Sequence, residues 1–142
     1  TIIPYAASRG VKIALETHGG LTGTAEDCVQ TLQRLDSAWV GINYDPANVL
    51  YYRGVRPEAD IHKIAPQVIH CHLKDQRGGQ GVDNFPPLGE GEIDLQAIVD
   101  TLIGVGYGGP FSIELETKGD RDPVAEDELR RQCRQFTENL IG

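Results

Sequence analysis

The sequence has no methionine among its 142 residues, only three cysteines, and fewer cations than anions. Each shortage excludes something. Cys28, Cys71 and Cys133 are too few and too scattered for a disulfide framework or a CxxC metal site, and read as reduced, buried thiols. Thirteen Lys and Arg against 21 Asp and Glu give a net charge of −8, whereas a nucleic-acid surface needs clustered cations to bind phosphate. A small neutral ligand, or one held through a cation, fits better. No apolar run approaches the roughly 18 to 20 residues that cross a bilayer, and "TIIPYAASRG" lacks the basic and apolar blocks of a signal peptide. The chain therefore reads as cytoplasmic. Beginning at Thr1 without methionine, it also reads as a fragment of a longer protein.

What is present is a regular alternation. Four segments carry the apolar, β-branched and aromatic residues of buried strands: "VKIALET" (11–17), "WVGINYD" (39–45), "VIHCHLKD" (68–75) and "PFSIELE" (110–116). Each is followed by a helical pattern. Thr24 is placed to cap a helix over 24–35 with Cys28, Val29, Leu32 and Leu35 as its apolar stripe. "RPEADIHKIAPQ" (56–67) puts Ile61, Ile64 and Ala65 on one face. Asp94 can cap a third helix, striped by Leu95, Ile98, Val99 and Leu102. The fourth strand leads through "KGDRDP" (118–123) to a helix over 124–141 that repeats Leu129, Cys133, Phe136 and Leu140. Strand and helix alternating four times predict an α/β fold, a parallel sheet with right-handed crossovers in a single domain over residues 1–142. "GVGYGG" (104–109) closes a helix and precedes a strand, the reverse of a dinucleotide-binding loop, and reads as a stop and turn.

Successive residues of a strand point to opposite faces. One face carries Val11, Ile13 and Leu15; Val40, Ile42 and Tyr44; Ile69, Cys71 and Leu73; and Phe111, Ile113 and Leu115. These suit packing under helices. The other face carries Ala14 and Glu16; Gly41, Asn43 and Asp45; His70 and His72; and Ser112 and Glu114. A flat sheet covered on both sides would bury Glu16, Asp45, His72 and Glu114 at a cost of several kcal/mol for each unpaired charge. A barrel instead gathers them around the opening at the carboxyl ends of its strands. Three carboxylates and one imidazole converging there call for a cation. Oxygen-rich donors favour Mn²⁺ or Mg²⁺, with Co²⁺ or Zn²⁺ possible. His70, one layer deeper, stands either behind the ligands or in the core.

"ALETHGG", "NYDPAN", "HCHLKD", "LGEGEIDL" and "GYGGPFSIELE", in this order, resemble the signatures of the xylose-isomerase-like barrel family of sugar isomerases and epimerases. The resemblance implies the C-terminal half of a (β/α)₈ TIM barrel, and a divalent metal ion bound by Glu16, Asp45, His72 and Glu114. It also implies that Glu16 and Glu114 exchange a proton with the carbon beside a carbonyl, through a metal-stabilised enediolate. The activity it suggests is isomerisation or epimerisation of a small sugar or sugar phosphate. His18, Asn48, His70, Lys74 and Glu90 are candidate substrate contacts. Asn48 stands where many epimerases have histidine, so it can donate a hydrogen bond but not act as an acid. In the turn "GYGG" (106–109), Gly108 stands where the family usually has aspartate.

Such barrels have eight strands and typically about 250 residues, against four strands here. The missing half must come from the remainder of a longer chain or from a second copy in a homodimer, since open sheet edges invite aggregation. Two other functions stay open on the sequence: a polyol or shikimate-type dehydratase using the same site, and a non-catalytic half-barrel binding module. An abasic-site nuclease would need more histidines and a basic groove, and neither is present.

Overall fold

A computed structural model describes residues 2–116 and 122–142. Four short parallel strands form one sheet in sequence order: β1 (Ile13–Glu16), β2 (Val40–Tyr44), β3 (Val68–Leu73) and β4 (Phe111–Ile113). Helices alternate with them, so the chain is four consecutive βα units, half of a TIM barrel. The strands occupy the middles of the four apolar segments. Val11 lies outside β1 and is 55% exposed, so it is not part of the helix-facing layer.

β3 departs from simple alternation. Ile42 pairs with Val68 and Asn43 with His70, so Ile69 is an extra residue with no partner, a bulge. Val68 consequently takes the core position expected of Ile69. Ile69 turns to the opposite face, where a side chain at residue 41 would meet its Cγ2 at 2.8 Å. Gly41 leaves room for the bulge.

Among the described residues six α-helices flank the sheet: α1 (Ile2–Ser8), α2 (Ala25–Leu35), α3 (Pro46–Arg53), α4 (Pro57–Asp60), α5 (Leu95–Gly104) and α6 (Pro123–Ile141). α2 starts at a full capping box, with Thr24 Oγ1 accepting from Asp27 N and the Asp27 side chain accepting from Thr24 N. Its last stripe residue, Leu35, is exposed. Asp94 caps α5, whose four stripe residues are all buried, and Gly106 turns the chain after it at φ 81°. "KGDRDP" lies largely outside the described residues.

The expected single helix over 56–67 is not formed. α4 is one turn, followed by 3₁₀ turns at Ile61–Lys63 and Ala65–Gln67. Pro66 has no N–H to donate, which removes an α-helical hydrogen bond from the end of the segment. The longer helix of this connection is α3, capped by Asp45, with Pro46 in its first turn and Gly54 ending it in the left-handed conformation.

Two apolar clusters form the core. One joins Ile42, Tyr44, Val68 and Cys71 to Ile61, Ile64, Ile98 and Leu102; the other joins Leu73 to Leu88, Leu95, Val99 and Cys133, with Leu129, Phe136 and Leu140 packed on it. The three cysteines are buried and unbridged. Among the described residues no helix is long and apolar enough to cross a membrane.

One buried hydroxyl ties β1 to the start of α3. Thr17 Oγ1 accepts from Asp45 N at 2.7 Å and donates to Asp45 O at 2.9 Å. Thr17→Val keeps the shape but strands the buried Asp45 N–H. Its unfolding free energy, from urea denaturation, is expected to drop by about 1–3 kcal/mol.

Candidate metal centre

Each strand delivers one donor to a common point at its carboxyl end. Glu16 ends β1, Asp45 follows β2, His72 is next to last in β3, and Glu114 follows β4 directly after Ile113. Their donor atoms lie within 4.8 Å of one another. His72 Nδ1 is 2.8 Å from Glu114 Oε2, and 3.3 Å from both Glu16 Oε1 and Asp45 Oδ2. The hydrogen bond to Asp45, then the charges of Asp45, Glu114 and Glu16, push the imidazole above its usual range against the opposing pull of burial.

The neighbours orient these donors. Asp45 divides its carboxylate: Oδ1 accepts from Asn48 N at 2.9 Å, capping α3, while Oδ2 faces His72. Asn48 Nδ2 donates to Glu16 Oε1 at 3.3 Å. Lys74, its side chain 4% exposed, bonds Glu114 Oε1 at 2.7 Å and Glu116 Oε1 at 2.5 Å, and its ammonium lies 4.7 Å from the Phe85 ring centre. Burial alone would lower its pKa, but the hydrogen bonds to both glutamates and the surrounding negative charge raise it. Glu114 thereby turns one oxygen to Lys74 and the other to the cluster.

One nitrogen and three carboxylate oxygens suit a hard divalent cation. The electrostatics fit as well, since one ring proton cannot satisfy three carboxylates. Behind the ring, Asn43 Nδ2 lies 3.0 Å from His72 Nε2, and Asn43 Oδ1 is buried with no partner. A polar group on the far nitrogen of a ligating histidine is the usual support of a metal site.

The cluster opens into a cleft of about 340 Å³, which His18, Asn48 and Lys74 also line. His18 Nε2 is 3.0 Å from the Tyr52 hydroxyl. His70 is not in the lining; its Nε2 lies 2.7 Å from Ser112 Oγ, below His72, and burial and His72 lower its pKa. Glu90 is exposed and outside the cleft, its carbonyl accepting from Arg77.

Several cleft residues escaped the sequence reading. Tyr51, Tyr52 and Phe85 make an aromatic wall, the Tyr51 ring centre lying 4.8 Å from that of Tyr52 and 5.5 Å from that of Phe85. The two tyrosines sit on α3, which the Asp-Pro pair at 45–46 could have revealed. Glu116 is two residues beyond Glu114 and so readable by alternation. Asp75 carries no such signal. Its carboxylate accepts from the N–H groups of Gln76, Gly89, Gly91 and Ile93 at 2.9–3.3 Å, pinning the loop beside the cleft. A side chain at Gly91 would overlap that carboxylate.

Four βα units with acidic and imidazole donors at the strands' carboxyl ends define the class, a TIM-barrel protein with its site at the rim. The family model described as xylose isomerase-like TIM barrel matches residues 1–135, and the chain belongs to this family. A xylose isomerase domain protein from Planctomyces limnophilus superposes with a TM-score of 0.85 at 28% identity, over 98% of this chain and 50% of that one. A xylose isomerase-like TIM barrel protein from Mycobacterium smegmatis, solved in complex with magnesium, gives a TM-score of 0.75 at 23% identity, over 99% and 48%. L-ribulose-5-phosphate 3-epimerase UlaE of Escherichia coli is 37% identical over 59 residues, 42% of this chain and 20% of the relative. The chain spans about half the length of the relatives that match it end to end.

Removing the Lys74 ammonium leaves Glu114 and Glu116 uncompensated beside an already acidic cluster. Lys74→Met is expected to lower stability in metal-free buffer by about 2 kcal/mol, below the cost of breaking a fully buried pair because both glutamates are partly solvated. Chemical denaturation with and without chelator measures it.

Proposed function

We propose that the intact protein is a metal-dependent isomerase or epimerase of a small sugar or sugar phosphate. The observation that carries this reading is the convergence of Glu16, Asp45, His72 and Glu114 from four successive strands, in a chain of the xylose isomerase-like family. The E. coli relative is named as an epimerase of a ketose phosphate, and the M. smegmatis relative was solved with magnesium. Both support the reading.

Glu16, Asp45, His72 and Glu114 would hold the ion, Mn²⁺ or Mg²⁺ by their oxygen-rich donor set. A divalent cation there supplies Lewis-acid polarisation of a substrate carbonyl and its neighbouring hydroxyl. The proton chemistry belongs to the protein. Glu16 and Glu114 come from the two outermost strands, so they approach the cleft from opposite sides. One carboxylate takes the proton from the carbon beside the carbonyl, leaving an enediolate, and the other returns a proton to the opposite face. Inversion at that carbon is epimerisation; return at the adjacent carbon is isomerisation. Asn48 and Lys74 hold the two glutamates in place while this happens. His18 at the cleft wall is placed to meet a substrate hydroxyl. In the assembled protein, four further βα units, from the same chain or a second copy, close the barrel along the free edges of β1 and β4.

The test is exchange of substrate C–H for deuterium in heavy water, followed by NMR on candidate ketoses and their phosphates. Glu16→Gln and Glu114→Gln should each slow exchange at least about a hundredfold, and chelation should abolish it until Mn²⁺ or Mg²⁺ is restored. Loss of water from the product would instead identify a dehydratase. Unchanged exchange in both variants would sink the assignment of the two glutamates.

A further inference from the structure

We propose that Asn43 is a positioning residue that selects which nitrogen of His72 is free to bind metal, its carboxamide turning over when a divalent cation enters. This rests on the metal centre proposed above. A neutral imidazole carries one proton and one lone pair, so ligation through Nδ1 requires the proton on Nε2. Without a cation the demand is reversed. Nδ1 lies 2.8 Å from Glu114 Oε2, a distance that calls for a proton between them, so in the neutral ring Nε2 is bare and Asn43 Nδ2, 3.0 Å away, donates to it.

Asn43 is built to serve both states. It lies on β2, in register with His70 of the neighbouring strand, and is 7% exposed, which keeps water from taking its place. No described group donates to its Oδ1, so the contact with the ring alone fixes the orientation of the amide. The two ends of a carboxamide have nearly the same shape. Half a turn about the Cβ–Cγ bond replaces the donor facing Nε2 with an acceptor. Oδ1 then receives the Nε2 proton, Nδ1 keeps its lone pair, and the ring becomes a better ligand through the hydrogen bond behind it. A residue that merely filled space between β2 and β3 would be replaceable by leucine. This one would not.

The experiment follows the ring nitrogens of His72 by long-range ¹H–¹⁵N correlation in the intact, ¹⁵N-histidine-labelled protein at mildly alkaline pH, before and after saturation with Mg²⁺. The expected result is a proton on Nδ1 without the ion and on Nε2 with it. Mn²⁺ affinity, by electron paramagnetic resonance, should fall about 10- to 100-fold in Asn43→Leu, and Asn43→Asp, which keeps an acceptor, should restore most of it. A bare Nε2 in the Mg²⁺-saturated protein, or unchanged affinity in a folded Asn43→Leu variant, would overturn the proposal while leaving the metal centre standing. Failure of the wild type to take up either ion would overturn both. If Asn43→Leu does not fold, the wild-type spectra decide alone.

Discussion

The site is organised by the divided carboxylate of Asp45. One oxygen closes the first turn of α3 and the other stands in the donor cluster, so helix and site are fixed by the same group. An ionised carboxylate at a helix start is favoured by the exposed N–H groups and the dipole there. The backbone of the same residue is held by Thr17, and Asn48, whose N–H it caps, reaches across to Glu16. β1, β2 and α3 therefore meet at one residue, and two of the four donors cannot move independently.

Charge is distributed unevenly around this anchor. Glu16 and Asp45 are held by neutral donors, whereas Glu114 is held by a buried ammonium that it shares with Glu116. The side facing β1 and β2 keeps most of its negative charge for whatever occupies the centre. The side facing β4 is already half neutralised. Tyr51, Tyr52 and Phe85 add an uncharged wall, so the cleft combines a strongly polar floor with apolar flanks, as small-molecule sites commonly do.

The donors were legible because alternation along a strand is geometric and survives any detail of packing. Counting from the carboxyl ends sets Glu16, Asp45, His72 and Glu114 on one face, and the structure gathers their donor atoms at one point. Toward the amino ends the same count failed, at Val11 because β1 begins later and at Ile69 because β3 bulges. Local signals served the helices unevenly. Thr24 and Asp94 marked true caps, while the Asp-Pro start of α3 went unread because 46–53 lacks a clean apolar stripe. The pairing of Lys74 with Glu116 and of Asp75 with the N–H of Gly91 was hidden for a different reason. The partners lie 42 and 16 residues apart in sequence, and no spacing encodes which loop will fold back.

The bulge at Ile69 also governs where this strand can tolerate a change of length. It already holds one residue more than its neighbour requires, and Gly41 supplies the vacancy that accommodates it. Deleting position 69 would restore an even count against β2 and leave His70, Cys71 and His72 facing as they do now. Deleting Cys71 would invert the frame between the two histidines and point only one of them inward. Gaps in β3 are therefore tolerable before His70 and disruptive after it.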